Sequence, residues 1–114
     1  MSGLHELYKL EIFIPESHLA VLRNTLQAAD AGHIGNYDSC LAFSRVTGTW
    51  RPLDGAHPYI GTDGAVSKES EIKVEVNVKG SNLKRTLQAI KSVHPYEEPL
   101  INIIPLVTLD NIAD

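Results

Sequence analysis

Two stretches of the chain alternate apolar and polar residues with the period of a half-buried strand. In the clearer one Ile72, Val74, Val76 and Val78 interleave with Lys73, Glu75, Asn77 and Lys79. In the other Tyr8, Leu10, Ile12 and Ile14 share one face and Lys9 and Glu11 the opposite one, with Phe13 breaking the polar side. Each strand leads into a helical pattern. After Pro15, Ser17 is placed to cap a helix with Leu19, Leu22, Leu26 and Ala29 on one stripe, stopped by Gly32. After Gly80 and Ser81 a second helix carries Leu83, Leu87 and Ile90 and ends at His94 and Pro95. A further strand is expected over Leu100 to Leu106, and a weaker one over Ser39 to Arg45 after the turn Gly35-Asn36-Tyr37-Asp38.

Strand, helix, strand thus occurs twice, which predicts an α+β fold: a ferredoxin-like βαββαβ sandwich, with a four-stranded antiparallel sheet backed by two helices on one face. Residues 46–70, with Gly48, Pro52, Gly55, Pro58, Gly61 and Gly64, are expected to form a long loop, a functional segment or an interface arm. The other sheet face would lack a cover. Phe13, with Ala42 or Phe43, would leave apolar groups there, for which self-association is the natural remedy.

At 114 residues and 43% hydrophobic content the chain is expected to be a single domain, 1–114. Ten Lys plus Arg against 14 Asp plus Glu give a net charge of -4 with no basic block, which argues against nucleic acid. One cysteine, Cys40, fits a reducing compartment, and neither a signal peptide nor a membrane-length apolar run is seen, so a cytoplasmic protein without a membrane partner is expected.

The densest chemistry is His94-Pro95-Tyr96-Glu97-Glu98-Pro99, where two prolines stiffen a segment holding an imidazole, a phenol and two carboxylates. His94 and Glu98 read as ligands for a divalent metal ion, completed by His33 or His57 of another subunit, or else His94 caps the helix end and Tyr96 packs at a contact. On an extended segment adjacent side chains oppose one another, so only one of Glu97 and Glu98 shares the side of His94. Near His33, Tyr37 and Asp38, Cys40 is either a nucleophile or soft ligand, or a small buried hydrophobe. Trp50 and Arg51 offer a stacking ring and an anion-binding guanidinium, or an interface anchor.

The run Ala31-Gly32-His33-Ile34-Gly35-Asn36-Tyr37-Asp38-Ser39-Cys40, then Thr47-Gly48-Thr49-Trp50-Arg51-Pro52, then HPYEEP, resembles the inserted domain of the Nif-three-like proteins, also described as the dinuclear metal centre or YqfO-like family, over roughly Leu7 to Leu106. The resemblance implies a CutA- or PII-like subunit, a homotrimer, and an insert that stands apart from the flanking domains in which full-length members hold their two metal ions. The expectation is a non-enzymatic small-ligand or metal-ion binding, sensing or adaptor domain, with Tyr37, Cys40, Trp50, Arg51, Tyr96 and Glu97 as ligand-binding residues. The alternatives are a metal-dependent hydrolase of a nucleotide-like substrate, matching the GTP cyclohydrolase label of the family, and a purely structural oligomerisation module.

Overall fold

The computed structural model describes residues 6–107 and residue 109. Its elements follow the order β1 (Leu7–Ile14), a 3-10 turn (Glu16–His18), α1 (Leu19–Ala28), β2 (Leu41–Trp50), β3 (Ser67–Lys79), α2 (Gly80–Val93) and β4 (Ile101–Pro105). The strands form one sheet in the order β2-β3-β1-β4, and every neighbouring pair is antiparallel. This is the α+β sandwich that the two alternating runs predict.

The register explains the alternation. Leu10 faces Val76 and Ile12 faces Val74 across the β1–β3 ladder, so the apolar sets of both strands lie on one face. There they meet Leu22 and Leu26 of α1 and Ile90 of α2, all at or near zero exposure. Burial of this kind stabilises by about 1.5–3 kcal/mol for each large aliphatic side chain. The stripe of α2 includes a residue that hydrophobicity does not reveal: Thr86 is fully buried, its hydroxyl satisfied by the Asn82 carbonyl one turn back at 2.7 Å.

Three expectations are corrected. Ser17 does not cap α1: it lies inside the 3-10 turn, its hydroxyl bonded to His18 Nδ1 at 2.9 Å, and α1 starts without a side-chain cap. Of residues 46–70, Val46 to Trp50 and Ser67 to Ser70 are strand, paired from Val46↔Glu71 to Trp50↔Ser67, which leaves 51–66 as the connection. Val46, Gly48 and Trp50 are partly buried and Thr47 and Thr49 exposed, the period of a strand, which Gly48 and the glycines and prolines after it mask in the sequence. Finally, Phe43 is on the helix side, opposite Val74, with Arg23 5.9 Å from its ring centre, and does not belong to the open face.

The open face is largely charged at its middle. Lys9 bridges Glu11 (3.3 Å) and Glu75 (2.6 Å), Lys73 reaches Glu11 (3.5 Å), and Asn102 donates to Glu11 (3.2 Å). The Asn102 amide, helped by the two lysines, holds the Glu11 carboxyl below its ordinary value against the opposing effect of desolvation. Phe13 and Ala42 remain as apolar positions on this side.

Short backbone bonds fix the connections. Gly32, at φ 75°, donates to Asn77 and accepts from Cys40, tying the α1–β2 link to β3; a Cβ there would lie 2.6 Å from the Cys40 carbonyl oxygen. The Leu106 amide donates to the Leu7 carbonyl at 3.0 Å, so β4 finishes beside the start of β1. None of the described helices is long and apolar enough to cross a membrane.

Candidate functional site

At one end of the sheet β1 runs out, α2 finishes and the 51–66 connection folds back. Three contacts build a cleft there. The Trp50 indole donates to the Ile60 carbonyl at 2.9 Å. Glu97 accepts the His57 amide through both carboxylate oxygens, at 3.0 and 3.3 Å. Tyr96 lies between the rings of Trp50 (centroids 5.7 Å) and Tyr59 (6.0 Å), and Tyr59 meets His18 edge-on at 6.0 Å. The open cleft, about 420 Å³ in volume, is walled by Trp50, Tyr59 and Tyr96 with Phe13, Pro52 and Leu53, and also by Arg51, Glu71, Glu97 and Glu98.

His94 is the hinge of this arrangement. Its backbone amide closes α2 on Ile90, its Nε2 reaches the Phe13 carbonyl at 2.7 Å, and its Nδ1 faces the Tyr96 amide at 3.2 Å. A carbonyl only accepts and an amide only donates, so the ring is the neutral Nε2–H tautomer with Nδ1 as acceptor. Burial pushes its pKa below the ordinary histidine value, partly offset by the Phe13 carbonyl, in keeping with that neutral form. Both nitrogens are thereby used. In this tautomer neither ring nitrogen presents a free lone pair to an ion, and Glu98 is an exposed carboxylate on the cleft. Among the described residues no group of three or more His, Cys, Asp or Glu stands where it could hold a metal ion.

Glu71 is the residue that sequence reasoning misses. It is in phase with Lys73 and Glu75 and reads as one more solvent-facing position, yet it is 5% exposed. Its carboxylate lies over Gly48, where a Cβ would come within 1.8 Å of Oε1, and it accepts the Tyr96 phenol. Burial, with that bond and the charge of Glu71, raises the Tyr96 pKa well above the ordinary tyrosine value, so the phenol stays protonated. The available signal was Gly48 within a strand, which marks a close approach of another group. Tyr59 carried no signal beyond its place in a long loop.

The candidate residues therefore divide. Trp50, Arg51, Tyr96, Glu97 and Glu98 line one cleft. Tyr37 and Cys40 do not belong to it. They precede β2 at its opposite end, roughly 30 Å away by strand rise. There Ile34 and Tyr37 exchange backbone bonds about a glycine-first turn, Tyr37 is exposed, the Cys40 thiol points to the Asp38 carbonyl at 3.6 Å, and His33 pairs with Asp30 at 2.8 Å. His57 contributes its backbone amide to the cleft contact.

No family model matches the chain. It is 42% identical over 100 residues to a protein of Halalkalibacterium halodurans named GTP cyclohydrolase 1 type 2 homolog, covering 88% of this chain and 27% of that protein. The structure of a Bacillus cereus protein related to NIF3 superposes with a TM-score of 0.80 at 32% identity, over 94% of this chain and 27% of the other. The chain is similar to one segment of the NIF3-related proteins. It spans about a quarter of the length of these relatives. CutA1 of Shewanella sp. SIB1 matches along most of both chains, 92% and 85%, with a TM-score of 0.69 and 15% identity, which shows the CutA-like fold alone.

Proposed function

We propose that this NIF3-like segment is a non-enzymatic binding domain whose cleft between the 51–66 arm and the HPYEEP segment takes a small organic ligand. The observation that carries it is the convergence of Trp50, Tyr96, Glu97 and Glu98, from two distant parts of the chain, around a cavity of about 420 Å³, a size within the range of small-molecule sites. Apolar and aromatic walls with a few placed polar groups are the usual make-up of such a site. The prolines at 95 and 99 and the two Glu97–His57 bonds hold the wall in place before any ligand arrives, which lowers the cost of binding.

Self-association belongs to the same reading. The outer edge of β4 is unpaired among the described strands, and Leu100, Ile103, Ile104 and Val107 are exposed along it, a surface suited to a second copy and, on the CutA-like plan, to a trimer. The GTP cyclohydrolase name belongs to relatives of which this chain spans about a quarter, and His94, held by backbone groups on both sides, is not placed to act as a general base.

The test is a fragment screen by amide-detected NMR, with the Trp50 indole N–H as the local reporter. Hits that shift Trp50 and the 94–98 amides together, with no turnover of added GTP, are the expected result. A screen whose hits leave those resonances unmoved, or product formed from GTP, would overturn the proposal.

A further inference from the structure

The charges of the cleft suggest what kind of ligand it takes, an inference that rests on the binding reading above. Three carboxylates and one guanidinium line it. Glu97 is occupied by the His57 amide and Arg51 is exposed on the rim. Glu71 is different: its carboxylate is withdrawn from water, accepts the Tyr96 phenol, and retains acceptor capacity, since an ionised carboxylate has about four lone-pair sites. Glu98 adds a second, exposed carboxylate on the same cleft. The same cleft is lined by the rings of Trp50, Tyr59 and Tyr96, and aromatic faces attract cations.

We propose that the cleft is a receptor for a small free organic cation, an ammonium group carried on a flat apolar body. The ammonium would meet Glu71 and Glu98, and the body would lie against Trp50 and Tyr59. Carboxylates at the bottom and rim with aromatic side walls repel an anion of the same shape, so the cleft selects by charge as well as by size. Arg51 opposes the cation from the rim and limits its affinity.

The experiment is calorimetric titration of the full chain with three molecules that share one ring: 2-phenylethylammonium, 2-phenylethanol and phenylacetate. The ammonium is expected to bind about tenfold or more tighter than the alcohol, the increment of one charge-assisted contact, and phenylacetate weakest. Glu71→Gln, which keeps the size and an acceptor for Tyr96, is expected to remove the ammonium's advantage, read as the ratio of ammonium to alcohol affinity within the same variant. If that variant fails to fold by circular dichroism, Glu98→Gln, at an exposed position, serves instead and is expected to reduce the same advantage. Equal binding of all three, or tighter binding of phenylacetate, overturns the cation assignment and leaves the binding reading standing. An undiminished advantage in the variants also overturns the assignment. If none of the three binds and Trp50 fluorescence is unmoved, the cation assignment falls, and the binding reading is then decided by the fragment screen.

Discussion

His94 spends both ring nitrogens on backbone groups, and that commitment has a pH signature. A base held below its ordinary pKa of 6.5 gives the fold full stability while it is neutral in the unfolded chain as well. As pH falls below that value the unfolded state takes up the proton first, and stability drains away until the folded ring is protonated too. Melting temperature is therefore expected to drop between about pH 7.5 and about pH 5.5, and to drop less in His94→Gln, whose amide still donates to Phe13 but does not titrate. An equal drop in both proteins would remove His94 as the cause. At Gly48 the constraint is steric. An added methyl drives the Glu71 carboxylate off its seat and away from Tyr96, so Gly48→Ala is expected to destabilise by about 1–3 kcal/mol although alanine suits a strand better than glycine. In a Glu71→Ala background the same change should cost less than about 0.5 kcal/mol, a coupling that denaturant titrations of the four proteins measure directly.

At the scale of elements, the 51–66 arm is held by few contacts: the Trp50–Ile60 and Glu97–His57 bonds and the rings around Tyr96. Trp50→Ala removes one bond and one ring contact. It is expected to speed amide exchange across 51–66 while leaving exchange in β1 and β3 unchanged, since those strands are paired on both sides. Uniformly faster exchange would mean that the arm contributes to global stability. What was legible in the sequence follows the same division. Ile72 to Val78 and Tyr8 to Ile14 announce their faces because one side of each packs on helices. Past Arg45 the alternation continues, with Val46, Gly48 and Trp50 partly buried and Thr47 and Thr49 exposed, but Gly48 and the glycines and prolines that follow it make the segment read as loop although it is paired. HPYEEP marked one wall of the cleft, and Trp50 and Arg51 marked another. Glu71 stayed hidden because burial on the open face comes from Tyr96 and the cleft, groups brought there by the tertiary fold.

At the scale of the molecule, the charged middle of the open face and the apolar edge of β4 pull in different directions. Lys9, Glu11, Lys73 and Glu75 satisfy one another within the chain, so that part of the sheet does not require a cover. The β4 edge does present apolar groups, and light scattering is expected to give a trimeric mass that Ile104→Glu lowers without loss of circular dichroism. A monomeric native protein would count against the assembly. The Leu106–Leu7 bond has a consequence on this scale also. A backbone that enters the fold at Leu7 leaves beside its own point of entry, so the unit closes on itself like a loop with a neck one hydrogen bond wide. A host protein can carry it as an outgrowth of a single surface turn, with its own two flanks no farther apart than neighbouring strands and each part free to fold without waiting for the other.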